Sequence, residues 1–396
     1  MCGAMIPLVN SRIVIDIYLR KAGKCMRLSH IVILLLFMMI IITAGCVQPS
    51  PSQPNRTPAP GISPVSPALS GTWTFVVFGD SRDNTRDTLT GVSPYLDPVA
   101  VAIAAEKPDL VMYNGDLVSG WMISNSSPVA TDYQAQFKNW MDAVAPIHNY
   151  TSGSGTPLYV IRGNHEDGPD QTVMPLLDAY RNSAAADMPL NGPPGEERLT
   201  YSFTWKGAKF IAIDEYFPHD GLKETVNQSW VDRELTSNIR PFIFVFGHTP
   251  AYLLEDDPED RGYDLAVHPV LRDIFWNSLV KNHATAYFSG HTHLYARGVK
   301  DGVQQVVTGN GGAMGHALNQ SAVDPLLTIE YPVREADNAG NTVGYLVVTV
   351  NETAGTMSAV QNVYYTDTRE WRTGDRFTLS SFGAVISNTT VPATRG

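Results

Sequence analysis

Short apolar runs alternate with amphipathic stretches through most of the chain, beginning near Thr72. The runs are rich in Val, Ile, Phe and Tyr, which is typical of buried strands, and the amphipathic stretches have the period of helices. The predicted strands are 72–78, 110–114, 158–161, 199–205, 208–213, 242–246, 285–288, 294–299, 303–308, 343–350 and 357–364. The predicted helices are 97–107, 132–144, 225–235 and 268–280. Strands and helices that alternate first, with hairpins later, predict an α/β domain with a mixed sheet.

The first 70 residues have a different pattern. Basic residues precede an apolar stretch at 31–42, which is followed by Thr-Ala-Gly-Cys ending at Cys46. An apolar stretch of about 12 residues fits a signal peptide better than the ~20 residues of a membrane-spanning helix. The Thr-Ala-Gly-Cys sequence resembles a lipobox, so we expect lipidation at Cys46. An ordinary signal peptide, or an uncleaved anchor with an incidental cysteine, is the alternative.

These patterns divide the chain into four parts. Residues 1–45 are read as an upstream extension plus a signal peptide, and 46–70 as a Pro/Ser-rich linker that stays extended. Residues 71–366 form the folded domain, and 367–396 are either a tail or the last elements of a sheet. We therefore expect an exported protein, either anchored to the outer face of the cytoplasmic membrane as a lipoprotein or secreted.

Charge and cysteine content limit the kinds of partner and metal site. The formal net charge of −11 leaves no basic surface for tracking nucleic acid. The three cysteines all lie at or before Cys46, so the folded domain has no disulfide and no thiolate zinc site. Any metal in that domain must be held by oxygen and imidazole. Nothing in the sequence indicates an oligomeric state.

Five predicted strands end in a glycine-containing turn that presents a polar side chain. These side chains are Asp80 in VVFGD, Asp116 in LVMYNGD, Asn164 and His165 in LYVIRGNHE, His248 in FIFVFGH, and His291 and His293 in AYFSGHTH. Ligand sites in open α/β sheets lie beyond the carboxyl ends of the strands, and glycine lets the backbone turn sharply there. Taken alone, each motif is more commonly an ordinary turn, or contains an ordinary histidine, than a ligand site. Together they indicate a site for Zn, Mn or Fe, with enough donors for two ions bridged by one carboxylate.

The ordered set GD, NGD, GNHE, GH and GHTH resembles that of the calcineurin-like metallophosphoesterases, which include purple acid phosphatases and protein phosphatases. The resemblance spans about Thr72 to Gly312 and identifies 71–366 as the metallophosphoesterase domain. It implies a four-layer α/β/β/α sandwich of two mixed β-sheets. It also implies a dinuclear metal site at the C-terminal edge of the strands.

The resemblance also implies roles for the individual residues. The implied metal ligands are Asp116 as the bridge, Asp80 and His293 on the first ion, and Asn164, His248 and His291 on the second. The implied cofactors are two divalent or trivalent ions of Mn, Fe or Zn. The catalytic candidate is His165, which would contact the phosphoryl oxygens or protonate the leaving group.

The function that follows is metal-dependent hydrolysis of small phosphate mono- or diesters. A hydroxide that bridges the two ions would attack the phosphorus, because metal ions lower the pKa of bound water. The alternative, from a different class of protein, is a non-catalytic surface binding protein with a degenerate first metal site.

One position departs from the family pattern. The first motif is usually Asp-x-His, with the histidine as a ligand of the first ion, but here that position is Arg82, which cannot coordinate a metal. The tyrosine that purple acid phosphatases place after the second motif is replaced by Ser119. We therefore expect a weaker first metal site. Arg82 is interpreted either as a substrate-binding residue, with Asn164 and His165, or as the structural partner of a carboxylate.

Overall fold

The computed structural model describes residues 71–83, 89–168, 170–253, 264–313, 315, 324–332 and 341–388. The expected signal peptide, Cys46 and the linker lie outside these residues. Among the helices within the described ranges, none is both long enough and apolar enough to cross a membrane.

The described residues form sixteen strands and five α-helices. In chain order the strands are β1 (Thr72–Phe78), β2 (Leu110–Tyr113), β3 (His148–Asn149), β4 (Ser154–Gly155), β5 (Leu158–Val160), β6 (Tyr201–Trp205), β7 (Ala208–Ala212), β8 (Phe242–Phe246), β9 (Ala286–Ser289), β10 (Tyr295–Lys300), β11 (Val303–Thr308), β12 (Thr328–Tyr331), β13 (Thr342–Asn351), β14 (Thr356–Tyr365), β15 (Glu370–Ser380) and β16 (Val385–Asn388). The helices are α1 (Leu96–Glu106), α2 (Tyr133–Ala143), α3 (Asp170–Arg181), α4 (Gln228–Thr236) and α5 (Pro269–Lys281).

Most of the strands belong to two seven-stranded mixed sheets. The first has the order β16-β15-β14-β13-β1-β2-β5, and the second has the order β12-β10-β11-β9-β8-β7-β6. In the first sheet β1, β2 and β5 are parallel and the remaining pairs are antiparallel. In the second sheet β7, β8, β9 and β11 are parallel. Because parallel strands end at one edge, the loops that follow them are brought together.

The two sheets pack face to face through aromatic side chains. Phe75 of β1 lies 5.4 Å from Phe210 of β7 and 5.0 Å from Phe244 of β8, measured between ring centroids. The alternate residue of β8, Val245, faces the opposite way and packs in a second core with Trp230 of α4 and aromatic residues of α5. This alternation follows from the two-residue period of a strand.

Helices α1 and α2 cover the outer face of the first sheet. Leu96, Val99 and Ile103 of α1 belong to the main core, and Trp140 of α2 meets Tyr113 of β2 edge to face at 5.1 Å. With α4 and α5 on the second sheet, the layers are α/β/β/α. The predicted four-layer sandwich of two mixed sheets is confirmed.

Most elements begin and end within about two residues of their predicted bounds, but helix α3 and strands β3, β4 and β12 were not predicted. Helix α3 lies in a segment that gave no clear pattern, and β12 was also missed. The residues after 366 include β15 and β16, which extend the first sheet. Within β15, the buried carboxylate of Asp375 accepts hydrogen bonds from Arg297 Nε at 2.8 Å and Tyr295 Oη at 3.0 Å, both on β10 of the second sheet.

Candidate metal centre

The loops after β1, β2, β5, β8 and β9 meet at one edge of the sandwich. Asp80 N donates to Gly115 O at 2.9 Å, so the loops after β1 and β2 are joined through their backbones. Gly290 N donates to His248 O at 2.8 Å, which joins the loops after β8 and β9. His291 N donates to both carboxylate oxygens of Asp80, at 3.0 and 3.1 Å, and so connects the two sheets.

Three of the residues expected to bind metal have a left-handed backbone. The φ angles are 62° at Asp80, 54° at Asp116 and 69° at His291. Non-glycine residues adopt this conformation infrequently, and such positions cluster at functional sites. The glycines of the motifs provide room, since a Cβ atom on Gly290 would overlap Asp80 Oδ2 and one on Gly163 would overlap Asp116 Oδ1. The strand-end glycines are therefore part of the site.

Four buried donor atoms converge in what we call the four-donor cluster, made of Asp116, Asn164, His248 and His291. His248 Nε2 lies 3.0 Å from Asn164 Oδ1, 3.3 Å from His291 Nδ1 and 3.3 Å from Asp116 Oδ1. Asn164 Oδ1 lies 3.0 Å from His291 Nδ1. Ligands about 2.1 Å from one ion are separated by about 3.0–3.4 Å, depending on geometry. The mutual spacing of His248 Nε2, Asn164 Oδ1 and His291 Nδ1 fits a single ion, and Asp116 Oδ1 lies next to His248 Nε2 at the side of this group.

The protonation of His248 supports the same conclusion. Burial lowers the pKa of His248 to about 4, so the ring is neutral at pH 7. Its Nδ1 lies 2.6 Å from Asn114 O and donates there, which leaves a lone pair on Nε2. That lone pair faces the amide oxygen of Asn164, which is also an acceptor. A cation between the two facing lone pairs would relieve their repulsion, as would a proton on His291 Nδ1, which lies within hydrogen-bond distance of both atoms, so the donor set is compatible with a bound metal ion.

A second, wider group is the three-donor cluster of Asp80, Asp116 and His293. Each residue offers one ligand atom, the atoms lie within 4.8 Å of one another, and all three residues are buried. His293 Nε2 is 3.9 Å from Asp80 Oδ1, a longer separation than those between His248 Nε2, Asn164 Oδ1 and His291 Nδ1. Because Asp116 belongs to both clusters, its carboxylate lies between the two candidate ion positions.

Arg82 lies against the three-donor cluster. Its Nε is 3.3 Å from Asp116 Oδ2, and its side chain is only 10% exposed. Burial favours the neutral form of Asp116, but His165, His248 and Arg82 hold the pKa of this carboxyl low, at about 2. The carboxylate beside Arg82 is therefore ionised and belongs to a residue expected to bind metal.

His165 is buried beside the same carboxylate. Its backbone N donates to Asp116 Oδ1 at 3.0 Å, and its Nε2 is 3.8 Å from Asp116 Oδ2. Burial and the charge of Arg82 lower the pKa of His165 to about 3, so the ring is neutral. With Nδ1 donating to Ser119 O at 2.9 Å, Nε2 carries the lone pair.

Two buried carboxyl groups that support the site were not predicted. Glu166 Oε2 accepts hydrogen bonds from Gly163 N at 2.8 Å and Asp116 N at 3.0 Å, and its Oε1 accepts from Val118 N at 3.1 Å. Glu166 therefore fixes the loops after β2 and β5 to each other. It directly follows the Gly-Asn-His motif, and that position was the signal available in the sequence.

The second buried carboxyl group, Glu215, fixes the backbone of the loop that carries His248. It accepts from His248 N at 2.9 Å, and its Oε1 lies 3.1 Å from Tyr287 Oη, which also lies 2.7 Å from Thr249 O. One hydroxyl hydrogen cannot serve both oxygens, which fits a protonated Glu215. Burial raises the pKa of this carboxyl to about 8. Glu215 follows β7 and obeys the same strand-end rule that located the ligands.

Solved structures of similar fold include a purple acid phosphatase and PhoD. The chain matches purple acid phosphatase PPD1 from yellow lupin (Lupinus luteus) with a TM-score of 0.55 and 17% identity, covering 82% of this chain and 58% of that one. It matches PhoD with a TM-score of 0.56 and 14% identity, covering 85% and 74%. At these identities the likeness concerns the fold.

Sequence comparison gives a relative and a family. The chain is 25% identical over 211 residues to serine/threonine-protein phosphatase CPPED1 from Danio rerio, which covers 51% of this chain and 59% of that protein. The chain thus spans less than two thirds of the length of that relative. The family model for calcineurin-like phosphoesterases matches residues 74–295, more than half of the chain, and includes every loop of the two clusters. The chain belongs to the calcineurin-like phosphoesterase family.

Proposed function

We propose that this chain is a metal-dependent phosphoesterase that hydrolyses small phosphate mono- or diesters. The observation that carries the proposal is the four-donor cluster, in which buried His248 Nε2, Asn164 Oδ1 and His291 Nδ1 lie 3.0–3.3 Å from one another and Asp116 Oδ1 lies 3.3 Å from His248 Nε2, an arrangement that suits a bound cation. Metallophosphoesterases use divalent metals, and the donor types suit Zn, Mn or Fe.

The residues present assign a part to each side chain. Two ions would be held by the four-donor and three-donor clusters, with Asp116 in both, and bound metal would supply charge neutralisation and a hydroxide at neutral pH. His165 has its Nδ1 fixed on Ser119 O, and with a proton on Nε2 it would contact the phosphoryl oxygens or protonate the leaving group. Arg82 and Asn164 would bind the phosphate oxygens next to it.

We also propose that the protein works outside the cytoplasm, anchored by a lipid on Cys46. The support is the apolar stretch at 31–42, the lipobox-like sequence before Cys46, and the Pro/Ser-rich linker at 46–70. The test is incorporation of a labelled fatty acid in the host cell, followed by fractionation of the membrane. Wild type should be labelled and membrane-bound, and Cys46→Ser should be neither. Equal labelling of the two would refute lipidation at this cysteine.

The test of the activity is hydrolysis of p-nitrophenyl phosphate and bis(p-nitrophenyl) phosphate with added Mn, Zn or Fe. Asp116→Asn should lose activity by at least about a thousandfold, because it weakens both clusters. The control is Asp142→Asn, which alters an exposed aspartate paired with Lys138. If wild type is inactive with every metal and retains no metal by elemental analysis, the enzyme proposal fails. Metal or phosphate binding without hydrolysis would favour a surface binding protein.

A further inference from the structure

We propose that the Arg82 guanidinium competes with a metal ion for Asp116 Oδ2, so that the two ions bind with very unequal affinity and phosphate promotes binding of the second. The inference rests on the proposed function, because it concerns the same metal centre. It assigns to Arg82 a control of metal loading that links metal binding to the anionic substrate.

The two oxygens of Asp116 have different neighbours. Oδ1 accepts from His165 N at 3.0 Å and faces His248 Nε2 at 3.3 Å, so it points to the four-donor cluster. Oδ2 faces Arg82 Nε at 3.3 Å. An ion in the three-donor cluster needs an oxygen of Asp116 that is not already directed to the other ion. That oxygen is the one beside the arginine.

The chain holds Arg82 in this position. Arg82 N donates to Asp116 O at 3.1 Å, and Arg82 pairs with Val92 in an isolated antiparallel bridge. Only 10% of its side chain is exposed, so the contact is not one of a freely moving surface residue. A guanidinium remains charged at every pH of interest and therefore always opposes a second cation nearby.

The contacts within the two clusters indicate that they differ in affinity for a metal ion. In the four-donor cluster the lone pairs of His248 Nε2 and Asn164 Oδ1 face each other, and an ion relieves their repulsion. In the three-donor cluster both carboxylates already have a donor or a cation, since Asp80 accepts from His291 N and Asp116 Oδ2 faces Arg82. The first ion should therefore enter the four-donor cluster.

Phosphate changes the balance because it offers Arg82 another anion. A guanidinium can bind a phosphoryl group through two parallel hydrogen bonds from Nε and one Nη, and in that mode Nε of Arg82 turns away from Asp116. Asp116 Oδ2 then becomes available to the second ion. Since binding linkage is reciprocal, the second ion must also tighten phosphate binding. Without phosphate the metal centre would hold one ion, and with bound phosphate it would hold two.

The experiment titrates metal-free protein with Mn²⁺ alone, following free Mn²⁺ by electron paramagnetic resonance, with and without inorganic phosphate. Wild type should bind one ion tightly and a second at least tenfold more weakly, and phosphate should tighten the second severalfold. Arg82→Gln removes the charge and should tighten the second ion by about tenfold, equivalent to about 1.4 kcal/mol, and should abolish the effect of phosphate. Arg82→Lys keeps the charge and should keep the weak second site.

The control variant is Arg372→Gln, which alters an exposed arginine beside Glu370 and should bind Mn²⁺ as wild type does. If Arg82→Gln does not fold, as judged by circular dichroism, the Arg82→Lys and wild-type titrations still decide the matter through their response to phosphate. Two ions of equal affinity in wild type, or no effect of phosphate on the second, would overturn the inference while leaving the phosphoesterase proposal intact. Absence of any bound Mn²⁺, together with absence of hydrolysis, would overturn both.

Discussion

Replacing Glu166 should loosen the fold and the metal centre together, because its carboxylate accepts three backbone hydrogen bonds from two ligand-bearing loops. The bonds come from Gly163 N, Asp116 N and Val118 N at 2.8–3.1 Å, and all four residues are buried. A buried donor left without an acceptor costs roughly 1–3 kcal/mol. Glu166→Ala should therefore lower the free energy of unfolding by about 3 kcal/mol or more. Glu166→Gln keeps one acceptor oxygen and should lose about 1–3 kcal/mol.

The assay is urea unfolding of the metal-free protein followed by tryptophan fluorescence, together with Mn²⁺ titration. The matched control is Glu352→Ala. Glu352 Oε1 accepts from Trp73 Nε1 at 2.9 Å and Gly207 N at 2.6 Å, near the start of β1 and therefore at the end opposite the metal centre. The control should lose stability but bind Mn²⁺ normally, whereas Glu166→Ala should lose both. A Glu166→Ala protein with wild-type stability and wild-type Mn²⁺ affinity would refute this account of the loops.

Three further outcomes follow from the same geometry. The pKa of Glu215 is raised from 4.5 to about 8 by burial, so its protonated form stabilises the metal-free fold below about pH 4.5 and this contribution is lost as the pH rises towards 8. The contribution of Glu215 should fall by up to about 1.4 kcal/mol per pH unit in that window, so the difference in urea midpoint between wild type and Glu215→Gln should change with pH between about 4.5 and 8. Gly163→Ala should abolish tight Mn²⁺ binding, because the added Cβ would overlap Asp116 Oδ1. Gly153→Ala adds a Cβ where there is open space, so this control should bind Mn²⁺ normally despite a small loss of stability. Equal Mn²⁺ binding by the two variants would contradict the steric argument. Chelation of bound metal by EDTA should lower the thermal midpoint of unfolding, and added metal should restore the midpoint, since a ligand that binds only the folded state stabilises that state. An unchanged midpoint would indicate that no ion was bound.

The fold could be predicted from the sequence because its strands are short, apolar and bounded by turn residues. Strand β8 has the predicted bounds, and the hairpin turn at Asp301-Gly302 has φ angles of 50° and 84°, as an Asp-Gly turn favours. Helix α3 was missed because it contains a proline, Pro175. Strand β15 was left open because its charged residues hid the buried Asp375, whose partners come from the other sheet.

The sequence located the candidate site but did not show that its ligands form two unequal clusters. The strand-end motifs named Asp80, Asp116 and His248, because each follows a buried strand at one sheet edge. The carboxylate that would face Arg82 could not be inferred, since loop conformation decides it and not spacing along the chain. The same holds for Glu166 and Glu215, whose roles depend on the backbone groups they meet in the folded structure.

The left-handed backbone at Asp80, Asp116 and His291 sets stability against function at these positions. Each non-glycine residue held there costs roughly 1 kcal/mol of backbone energy relative to glycine. A chain with glycine at all three would avoid that cost but would leave His291 N and His165 N without their carboxylate acceptors. Such a chain would lack the side chains that converge on the metal. Attempts to stabilise this protein should leave them unchanged and act elsewhere in the two sheets.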